Sequence, residues 1–272
     1  MYQEYFGLND EPFRLTPDPR YLYLSQQHRE ALAILQYGIN YRKGFIQITG
    51  EIGAGKTTLC RRLLSELAGR ARTALVLNPA LSDTQLLNTI AEDFGAIPKQ
   101  QNRKGYFDAL NQFFLEIDRQ GLTSVLIIDE AQNLAPRTLE QVRLLSNLET
   151  ETRKLLQIIL VGQPELAETL RGPSLVQLKQ RITLRYHLAA LSLEETQQYI
   201  LHRLKVAGGE GKVNFTSYAI WLIYRITQGV PRLINSLCEK ILLTAYVKEM
   251  HDVDEEIVEM ANEEMEGVAI KS

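Results

Sequence analysis

The sequence predicts an α/β fold, a five-stranded parallel sheet flanked by helices and followed by a small all-helical domain. Short apolar runs alternate with longer helical patterns as far as Leu188, which is typical of parallel strands joined by helical crossovers. After Leu188 only helical patterns remain. We therefore predict an α/β domain over 1–190, which includes an N-terminal arm, and a helical domain over 191–272.

The helices and strands are predicted from the spacing of the apolar residues along the sequence. A helix over 25–41, with Ser25 as its cap, comes after the Pro- and aromatic-rich arm. The predicted strands lie at 45–49, 74–78, 124–129, 156–162 and 182–188. The predicted helices between them lie at 56–68, 84–95, 105–120 and 137–149. The helical domain is predicted to contain helices at 192–207, 215–228, 231–248 and 253–266.

The composition narrows the class of protein. With 45% hydrophobic and 23% charged residues the chain is globular, and a net charge of −3 gives no sign of nucleic acid as an obligatory partner. Cys60 and Cys238 lie in apolar surroundings, so we expect core residues and no metal site. No signal peptide is recognisable, and no apolar stretch reaches the roughly 20 residues needed to cross a bilayer. We expect a cytoplasmic protein that can dock on a membrane partner.

A glycine-rich motif follows the first predicted strand and opens the next helix. It has the spacing G-x-x-x-x-G-K-[ST], and its glycines would let backbone N–H groups surround phosphates at a helix N-terminus. Lys56 would bridge the β- and γ-phosphates, and Thr57 would hold Mg²⁺. The predicted nucleotide ligands are Gly50, Glu51, Ile52, Gly53, Ala54, Gly55, Lys56, Thr57 and Thr58.

Two acids end the third predicted strand, in "VLIIDEAQ". Asp129 is placed to reach the Mg²⁺ shell, and Glu130 can act as general base for a water that attacks the γ-phosphate. A kinase that delivers phosphate to a bound acceptor does not need such a glutamate, and the guanine-reading N-K-x-D sequence is absent. The pair could otherwise merely end a strand. The motif favours an ATP hydrolase.

Two further polar residues lie at ends of predicted elements. Gln163 follows the fourth strand, where its amide could sense the γ-phosphate or orient the water, or simply bond the next turn. Arg232 opens a helix in "TQGVPRLIN", although cations usually avoid helix N-termini. We interpret this arginine as a ligand of the γ-phosphate, with a solvated surface residue as the alternative.

Seven ordered motifs together resemble the general secretion pathway protein A (ExeA-type) AAA+ ATPases, which are P-loop NTPases, over nearly the whole chain. The motifs are "YFGLNDEPF…TPDPRYLYLSQQHREAL", "GEIGAGKTTLCR", "LNPALSD", "IDEAQNL", "LLSNLETETRKLLQIILVGQPEL", "RITLRYHL" and "GVPRLIN". Relatives serve type II secretion, pilus assembly and exosortase-linked export. The full-length members that remodel the peptidoglycan carry a transmembrane segment and a periplasmic domain after the ATPase, whereas this sequence stops at Ser272. We expect a stand-alone ATPase-module variant, with a truncated chain as the alternative.

The resemblance also implies roles for individual residues. The glycine-rich motif matches Walker A, Asp129 and Glu130 match Walker B, Gln163 falls at sensor 1 and Arg232 at sensor 2. Leu24 and His28 would lie by the adenine. Arg181 matches best the arginine finger supplied in trans to a neighbouring subunit, with Arg185 and Arg153 as rivals. These roles imply a homo-oligomer, a ring or a filament, whose ATP turnover depends on assembly.

Three functions are compatible with these residues. The first is an ATP-driven motor that assembles a secretion or pilus-type envelope apparatus on an inner-membrane partner protein, and we favour it. The second is a DNA-binding ATPase that regulates transposition target selection. It would use a basic lane, for which the candidates are Arg61, Arg62, Arg70, Arg72, Lys99, Arg103 and Lys104. The third is an ATP-gated scaffold, which gains little from a catalytic base such as Glu130.

Overall fold

The computed structural model describes residues 1–16, 18–77 and 81–265. These residues divide into two compact units. The sheet unit contains Gln26–Gly50 and Leu59–Leu188. The helical unit contains Met1–Ser25, Glu51–Thr58 and the described residues from Ala189 on. Asn78, at the end of the second predicted strand, and residue 266, at the end of the last predicted helix, lie outside the described residues.

The elements alternate through the sheet unit as predicted. The strands are β1 (Phe45–Gly50), β2 (Ala71–Val76), β3 (Thr123–Ile128), β4 (Leu156–Gly162) and β5 (Ile182–Leu188). The helices of the chain begin with α1 (Tyr2–Tyr5), α2 (Gln26–Asn40), α3 (Lys56–Leu67), α4 (Asp83–Phe94), α5 (Arg103–Arg119), α6 (Pro136–Leu145), α7 (Pro164–Thr169) and α8 (Val176–Arg181). They continue with α9 (Leu193–Val206), α10 (Ser217–Thr227), α11 (Pro231–Val247) and α12 (Glu255–Met265).

The sheet is parallel and five-stranded, with the order β2-β3-β4-β1-β5, which confirms the predicted fold class. Side chains alternate between two buried faces, as a parallel sheet covered by helices requires. One face buries Phe45, Leu126, Ile128, Ile158 and Leu160. The other buries Ile46, Ile48, Val125, Ile127, Ile159 and Val161. Because β3, β4 and β1 are neighbours, their carboxyl ends lie side by side on one edge of the sheet.

Two predicted boundaries in the sheet unit differ from the structure by three residues or more, the start of β2 and the end of α6. β2 begins at Ala71, because an edge strand tolerates the exposed Arg72 and does not need an unbroken apolar run. α6 ends at Leu145, four residues earlier than predicted. Ser146 follows it and its hydroxyl donates to the carbonyl of Arg143 at 2.6 Å, which satisfies a helix-end acceptor. α7 and α8 were not predicted, since both are too short to show a helical period.

The helical unit contains more than its predicted helices. Two-residue strands β6 (Asn214–Phe215) and β7 (Asp252–Val253) pair in parallel, so the region is not all-helical. The N-terminal arm also packs here, whereas we assigned it to the α/β domain. Tyr2, Phe6 and Phe13 are buried in the same core as α9 to α12, because large aromatic side chains gain most from leaving water.

The two cysteines are buried, as predicted for core residues. Burial raises the pKa of the Cys238 thiol, which keeps it protonated and unreactive. In the part of the chain that the structure describes, no helix is both long and apolar enough to cross a membrane.

Candidate functional site

The glycine-rich loop connects the end of β1 to the start of α3. Gly53 and Gly55 have φ of +81° and +95°, a left-handed conformation that glycine adopts without steric cost. The amide of Ala54 donates to the carbonyl of Glu51 at 3.1 Å, which closes a turn. The loop enters the helix at Lys56, so the first amides of α3 provide N–H donors and partial positive charge for an anion.

The side chain of Lys56 lies back over the same loop. Its ammonium donates to the carbonyl oxygen of Glu51 at 2.9 Å, and only 6% of the residue is exposed. A glycine-lined turn, helix amides and an ammonium group form a donor set that fits a polyphosphate. Thr57, a half-buried residue, follows in the first turn of α3, and its hydroxyl is a hard oxygen of the kind that Mg²⁺ prefers.

Arg232 lies against this loop in the helical unit. α11 begins at Pro231, and the backbone amide of Arg232 donates to the carbonyl of Gly53 at 3.3 Å. The approach is so close that a Cβ added to Gly53 would lie 2.5 Å from the Cβ of Arg232. The structure therefore brings together two residues that were predicted separately, and Gly53 is required by the contact as well as by its φ angle.

In the sheet unit, Asp129 and Glu130 directly follow β3. Asp129 is 2% exposed, and its backbone amide donates to the carbonyl of Val76 at the end of β2, at 2.8 Å. Its Oδ1 accepts from the amide of Glu130 at 2.9 Å. The carboxylate is thus held in place at the carboxyl edge of the sheet, and carboxylate oxygens are the usual protein ligands of Mg²⁺.

Glu130 has a strained backbone and a well-defined side-chain position. Its φ of +52° is left-handed, which is uncommon for a residue with a Cβ and is typical of functional sites. Its Oε2 accepts hydrogen bonds from Nε2 of Gln132 at 2.6 Å and from Nε2 of Gln163 at 3.4 Å. One carboxylate oxygen of Glu130, after β3, thus accepts from Gln132 of the same loop and from Gln163, which follows β4.

Gln132 is a site residue that the sequence analysis missed. Besides its bond to Glu130, its Oε1 accepts from the backbone amide of Gln163 at 3.1 Å. The only signal in the sequence was its position in "IDEAQNL", two residues after the predicted base. Gln163 lies at the end of β4 as predicted.

The three arginine-finger candidates all have partners within the sheet unit. Arg181 ends α8 and its Nη1 donates to Oγ of Ser146 at 2.8 Å. Arg185 is exposed and donates to the carbonyl of Lys179 at 2.7 Å. Arg153 is exposed and lies 3.7 Å from Asp118. Of the three, Arg181 is held by a buried group, since Ser146 is 2% exposed.

The two residues predicted near the adenine lie in different units. Leu24 is half-buried at the end of the arm, in the helical unit, and His28 is 3% exposed in α2, in the sheet unit. The arm itself is anchored by Arg203, whose Nη2 donates to the carbonyl of Arg14 at 3.2 Å and whose Nε donates to that of Pro12. Sequence reasoning did not identify this anchor.

The sheet order, the glycine-rich loop after β1 and the acidic pair after β3 define the fold of a P-loop NTPase of the AAA class. Residues 39–170 match the family model described as AAA domain. Over 270 residues, 98% of this chain, the sequence is 44% identical to the General secretion pathway protein A of Aeromonas hydrophila. The chain spans 49% of that protein's length. These matches confirm the predicted resemblance to the ExeA-type AAA ATPases.

Solved structures of low identity share the fold. The Aeropyrum pernix ORC2 protein, in its ADPNP–ADP complexes, superposes with a TM-score of 0.69 at 18% identity, over 97% of this chain and 73% of its own. Cdc6p from Pyrobaculum aerophilum superposes with a TM-score of 0.70 at 18% identity, over 94% and 71%. At this identity the likeness concerns the fold alone.

Proposed function

We propose that the chain is an oligomer-dependent ATPase whose turnover drives assembly of a bacterial secretion or pilus-type envelope apparatus. The observation that carries the hydrolytic part is the carboxylate of Glu130, fixed by Gln132 and Gln163 at the carboxyl edge of the sheet. That edge also includes the end of β1, from which the glycine-rich loop departs. An ordered acid there suits a hydrolase better than an acceptor kinase.

The binding roles follow the chemistry of each group. The loop amides over Gly50–Thr58 and the ammonium of Lys56 hold the phosphates, and Arg232 meets the γ-phosphate. Thr57 and Asp129 provide oxygen ligands for Mg²⁺, which when bound neutralises charge on the β- and γ-phosphate oxygens. Leu24 and His28 contact the adenine.

In the reaction, water attacks the γ-phosphorus of ATP while the bond to the β–γ bridging oxygen breaks, and the products are ADP and phosphate. Glu130 accepts the proton from the attacking water, and Gln163 orients that water. Arg181 of a second copy stabilises the charge of the transferring phosphoryl group, a contribution worth about 10³–10⁵ in rate. A single copy lacks this arginine at its own site and therefore hydrolyses ATP slowly.

The proposed cellular role is supported by the sequence similarity to a protein named for the general secretion pathway. This chain matches about half of that protein. We propose a cytoplasmic homo-oligomer that works at the inner membrane through a partner protein of the apparatus. A role on DNA is the competing function. The experiment below separates the two.

The test is the steady-state ATPase rate against protein concentration, with and without duplex DNA. We expect a rate that rises faster than linearly with concentration, is indifferent to DNA and is abolished in Glu130→Gln and in Arg181→Ala. Glu165→Gln, an exposed acid in α7, is the matched control and should retain the wild-type rate. Strong, salt-sensitive stimulation by DNA would favour the regulator of transposition instead. A linear rate unchanged by Arg181→Ala would exclude the shared-site mechanism.

A further inference from the structure

We propose that Gln132 is a positioning residue that fixes the carboxylate of Glu130 by a donated hydrogen bond while its carbonyl oxygen anchors the end of β4. The proposal rests on the proposed function, in which Glu130 is the general base. The proposal assigns a role to a further residue of the hydrolytic site. The side-chain amide of Gln132 links Glu130, which follows β3, to Gln163, which follows β4.

The orientation of the Gln132 amide is determined by its neighbours. The backbone N–H of Gln163 can only donate, so the Gln132 atom 3.1 Å from it must be the oxygen. The NH₂ group then faces Glu130, and Nε2 donates a hydrogen bond of 2.6 Å to Oε2. A flipped amide would break both bonds, so the side chain has one satisfactory position.

This restraint matters because a glutamate side chain has several rotatable bonds. Gln163 also donates to Oε2, but at 3.4 Å its bond is longer and weaker. Gln132 therefore makes the principal contact that selects one position of the carboxylate. A general base must lie within hydrogen-bond reach of its water, and loss of that position is costly for the rate.

Gly162 is the second observation that supports the proposal. It is the last residue of β4, and a Cβ there would lie 2.6 Å from Oε1 of Gln132. The Gln132 amide is the end of a flexible side chain and can move, although the added Cβ would also lie 3.1 Å from Cδ2 of Leu166 and 3.3 Å from the backbone nitrogen of Gln132. A substitution should therefore displace the Gln132 amide. The absence of a side chain at position 162 is what lets the amide reach both partners.

A purely structural role makes a different prediction. A half-buried glutamine could serve only to satisfy the amide of Gln163, and in that case its NH₂ group would be irrelevant to catalysis. Gln132→Glu separates the two roles, since its carboxylate still accepts from Gln163 but cannot donate to Glu130 and repels it. Gln132→Met removes both bonds at similar volume.

The experiment measures kcat, KM, ADP affinity and Tm for both variants, under conditions where the wild-type protein is assembled. We expect kcat to fall about 10- to 100-fold in both, with ADP affinity within about twofold of wild type. Asn133→Asp, an exposed neighbour on the same turn, makes the same change of charge and should keep the wild-type kcat. Gly162→Ala should lower kcat in the same way.

A wild-type or increased kcat in Gln132→Glu would overturn the proposal, whatever Gln132→Met does. Equal losses of kcat in Gln132→Glu and Asn133→Asp would also overturn it, because added charge alone would then explain the effect. Glu130→Gln is measured beside them. If that variant hydrolyses ATP at the wild-type rate, the proposed function fails; if it is inactive while Gln132→Glu is normal, only this inference fails.

Discussion

Tyr2 and Glu239 are 237 positions apart in the chain, and the phenol of Tyr2 donates a hydrogen bond of 2.7 Å to Oε1 of Glu239. This bond ties the start of the arm to the middle of α11. Oε2 of the same carboxyl is buried and has no hydrogen-bond partner among the described residues. Burial raises the pKa of Glu239 above its usual range, and the bond from Tyr2 opposes that effect only in part.

We predict that Glu239→Gln stabilises the protein increasingly as pH rises. The pKa of this carboxyl is higher in the folded state than in the unfolded state. Its contribution to the free energy of unfolding is therefore fully present below the unfolded-state pKa and is lost as the pH rises through the folded-state pKa. Glutamine keeps the acceptor for Tyr2 and carries no charge, so it avoids that loss. The Tm difference from wild type should be larger at about pH 8 than at about pH 5. Glu263→Gln, an exposed acid in α12, should show no such trend; a pH-independent difference for Glu239→Gln would contradict the prediction.

We predict that Arg203→Met destabilises the fold by about 2–3 kcal/mol. The guanidinium is buried and donates to the carbonyls of Pro12 and Arg14 and to the hydroxyl of Tyr199, so its loss leaves buried acceptors without donors. Urea unfolding measures the change in free energy. Lys205→Met, an exposed basic residue on the same helix, is the control and should change stability by less than about 0.5 kcal/mol. Similar losses in both variants would refute the anchoring role.

Gly53→Ala should weaken nucleotide binding at least about tenfold, because the new Cβ meets Arg232 and the left-handed loop is strained. The control is Gly69→Ala, at a position with a comparable φ of +74° and nothing within 4 Å of an added Cβ. That variant should lose about 1 kcal/mol of stability and keep its affinity for ADP. Calorimetric titration with ADP distinguishes them. Equal affinities in the two variants would mean that the contact with Arg232 does not shape the loop.

Lys56→Met should abolish the rise in Tm that ATP gives the wild-type protein. The substitution retains much of the buried stem and removes the charge that lies over the loop, so binding energy is lost with little change to the fold. Thermal melts with and without ATP and Mg²⁺ measure the effect. Lys99→Met, at an exposed position, should keep the full ATP-dependent shift. A persistent shift in Lys56→Met would show that phosphate recognition lies elsewhere.

Short-range patterns made the strands and the strand-end acids predictable. Asp129 and Glu130 come at the end of one apolar run and Gln163 at the end of the next, and the parallel sheet then brings these ends to one edge. Gln132 was not predictable in the same way, because its role depends on a contact with the backbone of a residue 31 positions later. The edge strand β2 was misplaced at its start because an edge strand keeps only part of the apolar pattern.

Arg203 and the N-terminal arm illustrate the same limit over a longer distance. The hydrogen bond from Arg203 to Pro12 spans 191 positions, and no local spacing in the sequence predicts it. The aromatic residues of the arm were recognised as ordered from composition, but composition does not say which surface they cover. Pairings of this kind are set by tertiary packing, which overrides local propensity.

The helical unit combines Met1–Ser25 and Glu51–Thr58 with the described residues from Ala189 on. During synthesis the arm is made before the sheet unit, and the helices that bury Tyr2, Phe6 and Phe13 are made after it. Those aromatic side chains therefore stay in water, open to chaperones and proteases, until these helices have been translated. The arm and the helices from Ala189 on are separated by the sheet unit, and bringing them together costs chain entropy before their contacts can form. We therefore expect this unit to be the later of the two to fold.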